Sequence, residues 1–271
     1  MNNKKMQLAA TPYLLWMVIF VIVPLALIVV FAFTTTVKVD ANGNRLDDEA
    51  IAALTEEYAG RGEEPPISEK TVFTFENILS VSKYTPTLLN SIWLAVIATV
   101  ICLLIGYPLA YIISRTNYSR QKIMIMLVML PMWMNFLLRT YAWMTLLERN
   151  GLINKFFGLF GIGPFEMINT SGAVVLGMVY NYLPFMILPL YSIMTKIEKH
   201  TIEAAQDLGA NAFQVLMRVV VPLSVPGIAS GITMVFVPSV STFIISRMLG
   251  GGTNMLIGDL IDLQFLGNAY N

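Results

Sequence analysis

Leu88-Leu89-Asn90-Ser91-Ile92-Trp93-Leu94-Ala95-Val96-Ile97-Ala98-Thr99-Val100-Ile101-Cys102-Leu103-Leu104-Ile105-Gly106-Tyr107-Pro108-Leu109-Ala110-Tyr111-Ile112 contains no Asp, Glu, Lys or Arg. A helix rises about 1.5 Å per residue, so about 20 apolar residues cross the hydrocarbon core of a bilayer. Four further windows have the same length and apolar character: Tyr13–Phe33, Ile123–Leu146, Gly172–Met194 and Pro226–Met248. Each is too long and too uniformly apolar for a surface helix of a soluble domain, which carries a single apolar stripe. The pattern predicts an all-α, polytopic membrane bundle with about five transmembrane helices.

Composition agrees. The 271 residues are 56% hydrophobic and 13% charged, against roughly a quarter charged in an average soluble domain. Lys plus Arg and Asp plus Glu number 17 each, so the charge balance points to no nucleic-acid partner, and none is expected. Cys102 is the single cysteine and His200 the single histidine, which excludes a disulfide framework, a Cys-based metal site and a His cluster. No catalytic residue, metal or bound cofactor is expected of this chain. The apolar run that follows Lys4 and Lys5 exceeds the 7–15 residues of a cleaved signal and reads as a retained first span.

Lys and Arg in short loops orient the spans. Lys4 and Lys5, then Arg115, Arg120 and Lys122, then Lys196, Lys199 and Arg218 all fall on one side, which is read as cytoplasmic, N-terminus included. The chain divides into residues 1–33 (N-terminus and first span), 34–87 (an outer segment) and 88–271 (a helical core with a cytoplasmic loop at 196–222). The outer segment holds an acidic insert from Asp40 to Glu69, with Asp47-Asp48-Glu49, Glu56-Glu57 and Glu63-Glu64. Two readings fit it: a docking surface for an outer partner or cation, and a solvated loop with a short helix over Ala50–Tyr58. Prolines recur inside the spans (Pro24, Pro108, Pro131, Pro184, Pro189, Pro238), where each removes a backbone donor.

The loop at 196–222 reads as two short helices with a bend. Thr201 is placed to N-cap the first, with Glu203 near the positive end of its dipole. Gly209 ends it, and Asn211 with Gln214 forms a capping box for the second. Pro222 and Pro226 punctuate the approach to the fifth span. Glu203-Ala204-Ala205, three residues, Gly209, nine residues, Val219, and Pro222 three positions on resembles the EAA signature of bacterial ABC importer permeases. The resemblance implies that Glu203, Ala204, Ala205, Asp207, Leu208, Gly209 and Pro222 belong to a coupling loop that docks on a cytoplasmic ATPase subunit.

A second resemblance is narrower. Leu130-Pro131-Met132-Trp133-Met134-Asn135-Phe136-Leu137-Leu138-Arg139-Thr140-Tyr141 is similar to permeases of spermidine/putrescine importers of the PotB type. So are the stretch from Tyr180 through Pro184 and Pro189 to Tyr191, and Met248-Leu249-Gly250-Gly251 followed by Leu256-Ile257-Gly258. The similarity runs from about residue 72 onward. It implies an ATP-driven importer with an outer polyamine-binding protein, a second, different permease and an ATPase dimer that uses ATP and Mg, with this chain as a non-enzymatic transport subunit of the bacterial inner membrane. The family has six spans, so the resemblance also implies a last transmembrane helix beyond Asn254–Leu266 that this sequence lacks, and an acidic insert longer than is usual.

A polyamine is recognised by carboxylates and aromatic faces. The spans offer Trp133, Asn135, Arg139, Tyr141, Asn181 and Tyr182, and Asp259 follows the Gly250-Gly251-Gly252 turn. The aromatics equally suit packing or interfacial anchoring. Arg139, an ionisable group inside a span, reads as paired or reaching toward the outer face, with gating as the second reading. Asp259 and Asp262 fit either a cation-attracting outer mouth or a solvated helix. Leu152–Phe165 fits an outer interfacial segment that receives the binding protein. A secondary transporter would need carboxylates well inside the spans, and an ATPase would need a Gly-x-x-x-x-Gly-Lys-Ser/Thr loop; the sequence has neither.

Overall fold

The structure, a computed structural model, describes residues 12–13, 15–40, 44–59, 65–75, 77, 79, 81–252 and 255–266. Lys4, Lys5, Glu63, Glu64 and Asn254 lie outside the described residues. The described residues divide into two compact units at Thr85/Pro86.

In the first unit, a π-helical turn Val18–Ile22 leads into α1 (Val23–Ala32), and its apolar side chains are exposed all round. Antiparallel strands β1 (Thr34–Val39) and β2 (Ser68–Phe73) follow, with Thr34 opposite Phe73 and Val39 opposite Ser68. The sequence reading anticipates no strands here. Thr34-Thr35-Thr36-Val37-Lys38-Val39 is rich in the β-branched residues that fit a pleated surface, and Val37 and Val39 are buried. The acidic insert is therefore held between two paired strands. Its helix α2 (Asp48–Ala59) runs beyond Ala50–Tyr58 because Asp47 Oδ1 accepts the Ala50 N–H at 2.8 Å and caps it. At the base of the hairpin, Asn77 Nδ2 donates to the carbonyls of Phe31 and Thr34.

The second unit is helical: α3 (Thr85–Arg115), α4 (Tyr118–Met129) with a 3-10 turn Leu130–Trp133, α5 (Phe136–Leu147), α6 (Leu152–Gly158), α7 (Ser171–Met194), α8 (Lys199–Asp207), α9 (Ala212–Val215), a π-helical turn Leu216–Val220, α10 (Val221–Val240), α11 (Ile244–Gly250) and α12 (Ile257–Leu266). Among the described residues, Leu15–Ala32, Val81–Arg115, Ser171–Met194 and Ala212–Val240 are long and apolar enough to cross a membrane. A fifth crossing is made if the bent pair Tyr118–Trp133 and Phe136–Gly158 counts as one span.

Two spans depart from the sequence expectation. The window Ile123–Leu146 is two helices meeting at 90°. Pro131 supplies no N–H to the ladder, Met134 and Asn135 are extended, and Asn135 Oδ1 accepts from Leu137 N at 2.8 Å to start α5 afresh. The fifth span starts at Ala212, well before Pro226, and ends at Val240, short of Met248. Pro222 and Pro226 do not interrupt it. The π-helical turn, with one extra residue per bond, carries the helix into Pro222 at its second position. At the far end Pro238 removes a donor, and the Ser239 and Ser241 hydroxyls turn back to the carbonyls of Val235 and Val237.

α7 and α10 form the centre of the unit. Met186, Ile187, Leu190 and Met194 of α7 pack with Val235 of α10 and with Cys102, Ala110 and Ile113 of α3. The close approach needs Gly231, where a Cβ would lie 2.7 Å from Met186 Sδ and 3.3 Å from the Met186 carbonyl oxygen. Small residues at such contacts let membrane helices approach without a hydrophobic driving force between them. A second cluster joins Leu94 and Ala98 of α3, Val174 and Met178 of α7, and Ile245 and Leu249 of α11.

Candidate functional site: a helical loop and an elbow

The loop after α7 is built on a small buried base of Ile197, Ile202, Val215 and Val220, with Ala205, Ala210 and Tyr111 packed against it. That base decides where α8 starts. Its N-cap is Glu198, without a side-chain capping bond, and Thr201 lies inside the first turn. The expected Thr201 cap is overturned because starting at Lys199 brings Ile202 onto the same buried face as Ile197. Glu203 consequently sits mid-helix, bonded to Lys199 Nζ at 2.9 Å and His200 Nδ1 at 3.3 Å. The hydrogen bond and charge of Lys199 hold its carboxyl below the usual range.

The bend is set by Gly209, at φ +85°. Its N–H donates to Gln206 O at 2.8 Å, and Ala210 N donates to Ala205 O at 3.1 Å, closing the last turn of α8. Asn211 and Gln214 then form the expected capping box, at 2.8 and 3.0 Å. Ala204, Asp207, Leu208 and Gly209 face outward, and a Cβ on Gly209 would meet nothing within 4 Å. Leu208 is 89% exposed and Phe213 67%. Sequence reading passes over Phe213, although a large aromatic directly after a helix cap in a polar loop is a signal. It also treats Arg115 only as an orienting charge. The structure gives Arg115 a fixed place: its guanidinium donates to Met194 O at 3.4 Å and Ile197 O at 3.3 Å, tying the end of α3 to the start of the loop.

The residues expected along a substrate path do not form one cluster. Trp133 is 74% exposed and Tyr141 is exposed. Asn135 is spent on capping α5. Asn181 is buried, with Nδ2 donating to Gly177 O at 2.8 Å within α7. Arg139 is 7% exposed, so it is enclosed by protein and does not reach outward. It has no carboxylate partner among the described residues; Nη1 donates to Pro131 O at 2.7 Å, and the guanidinium lies 5.8 Å from the ring centres of Phe136 and Tyr180. The Tyr182 hydroxyl donates to Pro238 O at 3.4 Å.

Of the two acidic residues near the glycine turn, Asp259 is buried and Asp262 is partly exposed. Asp259 is 4% exposed, and its Oδ2 accepts the Leu256 N–H at 2.9 Å beside the Ser91 hydroxyl that accepts from Ile257 N at 2.8 Å. It satisfies the start of α12. Asp262 is ion-paired with Arg247 at 2.6 Å. In the segment 152–165, buried Asn154 bonds to Glu148 O and to both the N–H and the carbonyl of Phe165, while Leu152, Phe156, Leu159 and Phe160 face outward.

No protein-family model matches the chain. Over 267 residues it is 35% identical to the spermidine/putrescine transport system permease protein PotB of Haemophilus influenzae, covering 98% of this chain and 85% of that protein. PotB of Escherichia coli is 38% identical over 201 residues, 73% of each chain. A PotB homolog of Mycoplasma genitalium is 28% identical over 254 residues, 92% of this chain and 76% of that one. Among solved structures, a chain of a bacterial alginate ABC transporter, crystallised in complex with an alginate pentasaccharide-bound periplasmic protein, superposes with a TM-score of 0.65. That match covers 99% of this chain and 85% of the other at 16% identity, a likeness of fold.

Proposed function

This chain belongs to the PotB-type family of ABC transporter permeases, multi-pass inner-membrane subunits that are not themselves enzymes, and on that premise we propose that it forms half of the membrane path of a polyamine importer. Spermidine and putrescine are the substrates. A second permease completes the path, a polyamine-binding protein delivers substrate from outside, and a cytoplasmic ATPase dimer supplies energy from ATP and Mg. The N-terminus and the loop at 196–222 lie on the cytoplasmic side, and the hairpin with its acidic insert lies outside.

One observation carries the coupling role. Two short helices stand on a buried apolar base and present an open, apolar tip at Leu208, Gly209 and Phe213. A rigid base with an exposed apolar tip is the geometry of a docking element. ATP-driven movement of the partner displaces this tip, α7 and α10 carry the displacement inward, and the path switches from outward-open to inward-open.

The test uses the full complex reconstituted in proteoliposomes. Gly209→Asp meets no steric obstacle within this chain, and at φ +85° Asp strains the bend less than most residues with a Cβ. It is expected to insert and assemble normally while uptake of labelled spermidine and substrate-stimulated ATP hydrolysis are lost. Normal uptake by this variant would refute the coupling assignment. Failure of the wild-type complex to prefer spermidine or putrescine over other small solutes would refute the substrate.

A further inference from the structure

Arg139 is a buried guanidinium in a membrane-spanning segment, with no carboxylate within ion-pair range among the described residues and Nε without a partner. Such a charge is costly inside a membrane and persists where its surroundings fix it. Its surroundings are specific. Nη1 reaches back across the break to the Pro131 carbonyl, the group on the far side of the turn. The flat guanidinium lies against Phe136 of its own helix and Tyr180 of α7, within the range of cation–π attraction. One turn further along α5, Trp143 meets the same Tyr180 ring edge-on at 5.2 Å. Trp133, Met134 and Leu137 around the break are exposed, while Phe136, Trp143 and Met144 anchor α5 on the core cluster; at the turn itself the side-chain hydrogen bonds come from the Asn135 cap and Arg139.

We propose that Arg139 is the positioning residue that locks the third span into a right-angle elbow and binds that elbow to α7, so that movement of the loop at 196–222 reaches it; the mechanical half of this rests on the importer reading above. α7 is the connecting rod. From Tyr180 it runs about 20 Å to Met194, where Arg115 fastens its end to the loop. The elbow thus meets the middle of the helix whose end carries the loop. A lysine in place of Arg139 keeps the charge and loses the planar face and fork that the two rings and the carbonyl require.

The experiment places spin labels at Ile123→Cys and Thr145→Cys in the full complex in nanodiscs, with the buried Cys102 changed to Ser. The two arms are about 16 and 15 Å long, so a right angle separates the labelled backbones by about 22 Å and a straight helix by about 31 Å. A narrow distribution near the shorter value is expected in the parent. Arg139→Met is expected to spread it toward longer distances and to lower the maximal uptake rate at least tenfold, with the KM for substrate unchanged and ATP hydrolysis retained. Arg139→Lys falls between. An unchanged distribution in Arg139→Met overturns the lock, and a spread distribution with unchanged uptake overturns the mechanical link. If Arg139→Met does not assemble, Tyr180→Leu removes one stacking face without touching the charge; it is expected to loosen the elbow likewise, and an unchanged distribution there overturns the tie to α7. The distances need no substrate. If they behave as expected while the parent fails to import polyamines, the importer reading falls and the lock stands.

Discussion

Gly209 offers a way to separate what a loop needs for its own conformation from what a partner needs of its surface. Its φ of +85° is unfavourable for any residue with a Cβ, at about 1–2 kcal/mol for most L-residues and less for Asn. Nothing within 4 Å opposes a side chain there, so backbone strain is the whole intramolecular cost. Gly209→Ala therefore lowers the weight of the native bend against its competitors about 5- to 30-fold, and Gly209→Asn lowers it much less. Hydrogen exchange at the Ala210 and Gln214 amides, whose bonds to Ala205 O and Asn211 Oδ1 close the two helices, reads that weight directly. Uptake in proteoliposomes, normalised to assembled complex, reads the docking. The expected result is that exchange rises in the order Gly, Asn, Ala, while uptake falls sharply in both variants because either side chain intrudes on the docking face. If uptake follows exchange, with Asn nearly normal, the glycine serves conformation alone and the close approach of a partner is refuted. If exchange does not change at all, the strain argument itself fails.

Three further outcomes follow from the geometry. Asn154→Ala strips the Phe165 N–H of its acceptor and two carbonyls of a donor; at about 1–3 kcal/mol for an unsatisfied buried group, amide exchange at Phe165 is expected to rise tenfold or more, and an unchanged rate refutes the bracing role. Glu203 titrates below the ordinary carboxylate range because of Lys199, so its contribution to α8 is present above the unfolded carboxyl pKa and is lost as pH falls through the lower folded value; an NMR titration should show a higher midpoint in Lys199→Ala, and equal midpoints would sink the pairing. Gly231→Val drives a branched side chain into Met186, where the carbonyl oxygen cannot yield. Overpacking of this kind costs about 1–3 kcal/mol and should lower the thermal midpoint in detergent, whereas an unchanged midpoint would mean that α10 is free to move away from α7.

What the sequence by itself determined is what depends on local composition and spacing. The lengths of the apolar runs required membrane helices, the glycine and the Asn211–Gln214 pair placed the bend and the second helix of the loop, and the spacing from Glu203 to Pro222 identified the family's signature. These features rest on neighbours within a few residues, so they are readable along the chain. The tertiary structure decided everything that turns on partners distant in sequence. Thr201 lost the cap to Glu198 because Ile202 had to join Ile197 and Val215 in a buried base. Asp259 was buried where Ser91 takes the neighbouring Ile257 N–H, Asp262 was paired with Arg247, and Arg115 became the fastening of α7. In the third span, uniform in hydropathy, Pro131 and the Asn135 cap are local signals of a break. Hydropathy measures how much a segment prefers lipid and carries no information about direction; where α5 lies after the break depends on Phe136, Arg139 and Trp143 meeting the core and Tyr180 of α7, partners that only the folded chain supplies.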